Sequence, residues 1–481
     1  MLCGIRFFFK ANIVFSDLIM MFDYIYALLF NPDRFKMKSN RKIMSRTPEM
    51  IVVLSVLLAV LTAPLSGCAV NPASGRSELA LISMSADEEK ALGQKMFPVV
   101  LQKMGGEYPD PELQDYVQSV GDRLKNAGYR KDVSYSFRVA NDSAPNAFAL
   151  PGGYIAITRG LLSSLANEGQ LAAVLGHEIG HVDARHALQG LQWSNLLGLG
   201  LTSLPGMTDS ARYSALIRSS GEVSTILIEH SYSREQESES DRFAIDYMIR
   251  TGYNPVDAVD LQQVFVRKID KPEDPQWLDG LFRTHPFSKK RLEETREYIA
   301  ENYPEANRTD RKPDQEFLIA TEKMRKAIPG YKKYDQALLI EKEKSSARAI
   351  GLYLEAAALA PEESLILTGL GLAYLRLEDF VSAKQHLSRA VRIDGSYYLS
   401  RLGLAYVYLD REGFSKAILH AEKSFELFPT VESVYLAARG YDGSDESGKA
   451  LQRYQVVAQS VPNSSMAKLS VKRIREIEGT K

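Results

Sequence analysis

Four alanines keep step along the last third of the chain. Ala349, Ala383, Ala417 and Ala450 each stand twelve residues before Pro361, Gly395, Pro429 and Pro462. A period near 34 residues is long enough for two helices and their turns, with a small residue where the helices cross and Pro or Gly closing the second. The string Gly371-Leu-Ala-Tyr374 returns as Gly403-Leu-Ala-Tyr406, and Phe380 returns as Phe414. One helix pair cannot bury its own apolar face, so such units must stack on one another. This predicts an all-α array over residues 317–481 that folds as a separate unit and offers a concave surface to peptides or partner proteins.

The chemistry lies upstream. His177-Glu178-Ile-Gly-His181 is an H-E-x-x-H run, preceded by the apolar Leu171-Ala-Ala-Val-Leu175 of a buried helix. Four residues are close to one helical turn, so both imidazoles lie on one face and can share a metal. Glu178 beside them can take a proton from water at that metal. By chance alone the three fixed residues match in roughly one or two chains per hundred of this size, so the run needs support. A second acidic run, Ser233-Arg-Glu-Gln-Glu237-Ser-Glu-Ser-Asp241, places Glu237 and Asp241 on one helix face. One of the two could complete a three-ligand catalytic zinc site while the other hydrogen-bonds a ligand imidazole. His186 is not the third ligand of a metzincin, because that spacing needs Gly at 184 and His at 187, where Ala184 and Ala187 stand. The helix carrying Glu237 is expected from about Tyr232 to Thr251, ended by Gly252 and Pro255.

Read with Asn146-Ala-Phe-Ala-Leu-Pro-Gly-Gly153 and Thr284-His285-Pro286, these motifs occur in an order that resembles the gluzincin metallopeptidases related to HtpX and the CAAX prenyl protease. Within that family the likeness is greatest to periplasmic members bearing tetratricopeptide repeats, and it covers roughly residues 75–300. The resemblance implies Zn2+, one per chain, with His177, His181 and Glu237 as ligands, Asp241 as support for a ligand, and Glu178 as catalytic base. It also implies that His285 blocks the zinc in a latent state; the residues alone allow it to reach the metal, to stabilise an oxyanion or simply to hydrogen-bond in a loop. Ser240 departs from the family, which commonly has Ala before this Asp.

Alternating Val133, Tyr135, Phe137 and Val139 mark a half-buried strand, and Pro151-Gly152-Gly153 turns between Phe148–Leu150 and Tyr154–Thr158. The expected fold is therefore an α+β zincin-like peptidase domain over 68–305, mostly helical with a small antiparallel sheet. A linker over 306–316, marked by Pro304 and Pro313, joins it to the all-α tetratricopeptide solenoid. Asn146, Ala147, Phe148, Ala149 and Leu150 form the candidate edge strand for pairing with an extended substrate, although without the family resemblance a plain structural hairpin fits these residues as well. The Gly-dotted apolar run Leu191–Leu204 is too interrupted to span a membrane and is expected to cover the cleft.

The N-terminal residues 1–67 read as a leader. Lys36, Lys38, Arg41, Lys42 and Arg46 precede a twelve-residue apolar core from Met50 to Leu61, and Leu65-Ser66-Gly67-Cys68 follows. That last string resembles a bacterial lipobox, with Cys68 lipidated and first in the mature chain; Ala69 after it suggests outer-membrane sorting. Residues 1–36 are an over-extended preface that fits this scheme poorly, and initiation at Met37 or Met44 would give a compact leader. A net charge of −1 gives no global attraction to nucleic acid, and none is expected as a partner. The expected protein is a lipid-anchored, periplasm-facing zinc endopeptidase acting on protein or peptide substrates in envelope quality control or outer-membrane protein assembly. Its repeats would gather substrates or dock the assembly machinery. The rival is a chaperone or scaffold that works through its repeats, with a latent metal site.

Overall fold

The computed structural model describes residues 68–70, 75, 77–79, 85–190, 217, 231–270, 280–306, 314–343 and 345–479. The leader, the run Leu191–Leu204 and most of the expected linker lie outside the described residues. Of Cys68 only the backbone is described, in a three-residue strand, Cys68–Val70 (β1); Ser77–Leu79 (β2) is the next. Among the described residues no helix is long and apolar enough to cross a membrane.

Among the described residues the first helices are Ala86–Lys103 (α1) and Pro111–Lys125 (α2). Ser85 and Glu88 close a capping box on α1, while Asp110 caps α2 just before Pro111 at its first position. Gly105 and Gly106 part the two helices with φ of 81° and 84°, a region that side chains with a Cβ rarely adopt.

The sheet has Ser136–Ala140 (β3), Ala147–Leu150 (β4) and Tyr154–Thr158 (β5) in the order β3-β5-β4. β4 and β5 form the expected antiparallel hairpin, turning through Gly152 and Gly153 at φ 79° and 87°. The sheet is mixed, however, not antiparallel throughout: β3 runs parallel to β5, with Ser136 opposite Tyr154. Alternation marks a strand but is blind to its direction, which here is set by the chain skipping past the central position after β3. β4 is thereby left at an edge. One face of the sheet packs Phe137, Val139, Ala147, Ile155 and Ile157 into the main core; the other packs Phe148, Leu150 and Ala156 against Leu92, Met96 and Phe97 of α1.

Next come Arg159–Ser164 (α3), Glu168–Asp183 (α4) and His186–Gly190 (α5). They are followed by Arg234–Arg250 (α6), Val256–Asp270 (α7), Leu281–Thr284 (α8) and Lys289–Asn302 (α9). α4 is the buried centre, capped by the Asn167 side chain. α6 begins at a Ser233/Gln236 capping box and stops before Gly252, as its sequence predicts. The two helices cross closely because α4 offers glycines: a Cβ on Gly176 would lie 3.2 Å from Ala244 Cα, and one on Gly180 3.1 Å from Ser240 Cα. That approach brings the H-E-x-x-H face against Glu237 and Asp241.

Among the described residues nine helices make the C-terminal array: Gln315–Lys342 (α10), Ser346–Leu359 (α11), Ser364–Arg376 (α12), Phe380–Ile393 (α13), Tyr398–Asp410 (α14), Phe414–Leu427 (α15), Val431–Gly443 (α16), Ser447–Ser460 (α17) and Ser465–Gly479 (α18). All four in-phase alanines are fully buried. The Gly-Leu-Ala-Tyr strings, which are 32 residues apart, are not equivalent. A Cβ on Gly371 would meet Leu387 of the following helix, whereas one on Gly403 would meet Leu387 and Leu372 of the preceding pair. The true repeat joins Tyr374 to Tyr408, which stack on His386 and His420 at 5.6 Å each.

The array shares its core with the N-terminal half. Phe317, Met324, Tyr331, Leu365 and Ile366 belong to the same buried cluster as the sheet and α4. Arg325 donates to the carbonyls of Ser163 and Leu165, and the hydroxyls of Tyr108 and Tyr331 donate to the two oxygens of Glu363. Arg159 lies 3.3 Å from the Tyr331 ring centroid. A chain cut near Pro313 would therefore uncover part of the core around α4 and the sheet.

Candidate metal centre

Four side chains converge where α4, α6 and the α8–α9 turn meet: His177, His181, Glu237 and His285, with one donor atom from each within 4.8 Å of all the others. His177 Nε2 and His181 Nε2 are 3.0 Å apart. Glu237 Oε1 lies 3.4 Å from His181 Nε2, and its Oε2 3.6 Å from His177 Nε2. Ligands held at ~2.05 Å in a tetrahedron stand about 3.3 Å from one another. These three donors therefore fit a zinc ion, in chemistry as well as in spacing. Glu178 is 1% exposed beside them, and its Oε2 has no hydrogen-bond partner among the described residues.

The supports are buried ion pairs. Asp241 Oδ1 lies 3.0 Å from His177 Nδ1, so Asp241 accepts a hydrogen from the nitrogen that faces away from the other donors. Arg291, from the first turn of α9, donates two 2.8 Å hydrogen bonds to Asp241 and one to Glu237. Burial alone would raise the Glu237 carboxyl, but Arg291, His285 and His177 hold it well below its ordinary range. Glu178 moves the other way, pushed up by burial against the pull of His285 and His177. Burial also drives the His181 imidazole well below its usual range, leaving it neutral. His177 resists burial because Glu237 and Asp241 attract its charge, and it is raised to about 10.

That last shift has a measurable sign. Without metal, His177 carries a proton at every pH below about 10, whereas a metal needs the neutral imidazole. Zinc binding at pH 7–9 should thus release about one proton, and apparent affinity should rise about tenfold per pH unit in that window. Calorimetry in buffers of different ionisation enthalpy reads the proton directly; a pH-independent affinity with no release would contradict it.

His285 occupies the remaining side. Its Nδ1 is 2.9 Å from Glu237 Oε1, and its Nε2 is 3.2 Å from the Ala147 carbonyl and 3.6 Å from Glu178 Oε1. Thr158 N donates to Asn146 O, so β4 turns its even-numbered residues to β5 and Ala147 and Ala149 outward. The outward edge is already engaged at its start: Leu281 N donates to Pro145 O, Thr284 Oγ1 donates to Asn146 Oδ1, and His285 meets Ala147 O. Of the five candidate edge residues, Phe148 and Leu150 point to α1, while Ala147 lines an apolar cavity with Leu161, Val174, Ile245, Leu261 and Phe265 beside His177 and Glu178.

Two neighbours escaped the sequence reading. Tyr232 stacks on the His181 ring, with centroids 3.7 Å apart and planes 23° from parallel. His186 stands 2.9 Å behind His181 Nδ1. The first carries no motif, and the metzincin spacing tests the second only as a direct ligand.

Residues 110–299 match Peptidase family M48. Three curated proteins show what the chain is similar to. The putative beta-barrel assembly-enhancing protease of Vibrio cholerae is 27% identical over 61% of this chain and 58% of that protein. The beta-barrel assembly-enhancing protease of Escherichia coli is 28% identical over 50% of this chain and 51% of that protein. The mitochondrial metalloendopeptidase OMA1 of Schizosaccharomyces pombe is 28% identical over 45% of this chain and 63% of that protein. The chain thus spans little more than half the length of these relatives.

Proposed function

We propose that this chain, which carries a peptidase M48 domain over residues 110–299, is a zinc-dependent metalloendopeptidase of the bacterial cell envelope. The observation that carries the reading is the donor spacing of His177, His181 and Glu237 with the unpartnered Glu178 oxygen beside it. When bound, zinc supplies a Lewis acid that polarises a peptide carbonyl and acidifies water. Glu178 takes a proton from the attacking water and hands it to the leaving amine, with its carboxyl raised by burial. Asp241 and Arg291 hold His177 and Glu237 in place. Ala147 and Ala149 present the backbone groups that pair with an extended substrate.

Zinc titration of purified protein tests the site. Wild type should bind one ion per chain, and Glu237→Ala should bind it about 10³-fold or more weakly, having lost one of three protein ligands. Equal affinity in the two proteins removes Glu237 from the ligand set.

His285 restrains this site. It offers a fourth donor where an active zinc needs an open position, and it takes the Ala147 carbonyl that a substrate strand would use. His285→Ala should cleave an unfolded model protein several-fold faster than wild type. Slower cleavage with zinc retained would assign His285 to oxyanion stabilisation instead.

The repeats gather substrates or dock the enzyme to outer-membrane assembly machinery, a role supported by the names of the bacterial relatives. The Leu65-Ser66-Gly67-Cys68 string supports a lipid anchor at Cys68 facing the periplasm. A scaffold with a latent site is favoured by one observation, the closure by His285. Partner binding that survives Glu178→Gln while a cellular phenotype is restored would select it.

A further inference from the structure

His186 lies on the far side of His181 from the metal position, 1% exposed, and takes no part in the chemistry above. Asp183 ends α4, and Arg185 follows with φ 56°, a left-handed turn that returns the next residue beneath the helix end. His186 Nδ1 is thereby placed 2.9 Å from His181 Nδ1, and its Nε2 3.2 Å from Glu239 Oε2. Ser240 Oγ is 3.4 Å from the same Nδ1. Glu239 and Ser240 belong to α6, the helix that also carries Glu237.

Two imidazole nitrogens facing each other at this distance share one hydrogen. A metal at His181 Nε2 needs that lone pair free, so the His181 hydrogen must sit on Nδ1 and be donated to His186 Nδ1. The His186 hydrogen is then on Nε2, aimed at a carboxylate that can only accept. The opposite arrangement places the hydrogen on His181 Nε2, on the lone pair a metal would need, and turns a His186 lone pair toward Glu239. Ser240, with a hydroxyl to donate, reinforces the accepting role of His186 Nδ1.

The geometry points to Glu239 and His186 as positioning residues that lock His181 in the tautomer able to bind zinc, the counterpart for the second imidazole of what Asp241 does for the first. This rests on the zinc reading and deepens it. Metal ligands held through such outer hydrogen bonds lose affinity when the outer partner is removed.

The test is competitive zinc titration against a chromophoric chelator, on full-length protein shown to be folded by circular dichroism. His186→Ala should weaken zinc binding about 10- to 100-fold. His186→Gln should return it to within about threefold of wild type, because the amide accepts through Oε1 and donates through Nε2 as this imidazole does. Glu239→Ala, at a less enclosed position, should weaken binding about three- to tenfold by leaving either His186 tautomer free to form. Wild-type affinity in His186→Ala overturns the proposal. Should that variant not fold, wild-type affinity in Glu239→Ala overturns it equally, as does a His186→Gln protein that folds but binds no better than about 100-fold below wild type. A wild-type protein that binds no zinc would instead sink the zinc reading itself.

Discussion

Glu178→Gln should bind one zinc ion as tightly as wild type and hydrolyse peptides about 10²- to 10⁴-fold more slowly, the usual contribution of a general base. The isosteric amide fills the same volume in a site that is 1% exposed, so packing on α4 should survive. Among the described residues no hydrogen bond joins Glu178 to the three proposed ligands, and His285 Nε2 lies 3.6 Å from its Oε1. Metal content therefore should not change. Activity should, because an amide cannot take a proton from water at neutral pH. A variant that keeps more than about a third of wild-type turnover would remove Glu178 from proton transfer.

Arg291→Ala should destabilise the metal-free protein by about 3–5 kcal/mol, the typical result of removing one partner from a buried ion pair. Arg291 is 6% exposed and serves two carboxylates that are themselves enclosed, Glu237 and Asp241. Without the guanidinium, burial disfavours charge on both. In wild type Glu237 is held low, so its contribution is present at neutral pH and lost as pH falls through its depressed pKa. In the variant burial opposes these charges with less to offset it, so stability should fall less, relative to wild type, as the pH is lowered from neutral. Zinc should recover part of the loss, since binding to the folded state alone adds ~4 kcal/mol at a thousandfold excess over Kd. Arg291→Lys should rescue little, because one ammonium cannot make the paired contacts with Asp241 while reaching Glu237. Urea unfolding in EDTA at pH 5 and pH 7 reads all of this; a loss below about 1 kcal/mol would mean the site does not depend on Arg291.

Arg291 also shows where sequence reading stops. Its place near Thr284-His285-Pro286 was visible, but not its partners, which lie 50 and 54 residues away on another helix. His285 and the edge strand follow the same rule. Both were legible as candidates through family resemblance, yet that His285 meets the Ala147 carbonyl depends on how α8 lies against β4. The repeats give a matching lesson. Burial of the in-phase alanines followed from period alone, whereas the recurring Gly-Leu-Ala-Tyr string misled, because glycines facing different neighbours can spell the same word.

What could be read without coordinates is what covalent periodicity enforces. Four residues on a helix bring His177 over His181, Ser233 and Gly252 bracket α6, and a small residue recurring with the period marks each helix crossing. These are local relations, fixed by the rise and turn of the backbone. Folding added everything that depends on which segments meet. The glycines at 176 and 180 let α4 and α6 approach until three donors stand at ligand spacing. A skipped strand position left β4 at the sheet edge, and Phe317 and Tyr331 joined the repeats to the peptidase core. Close packing and the strength of charge pairs away from water select these meetings, and both act between atoms in space whatever their separation along the chain.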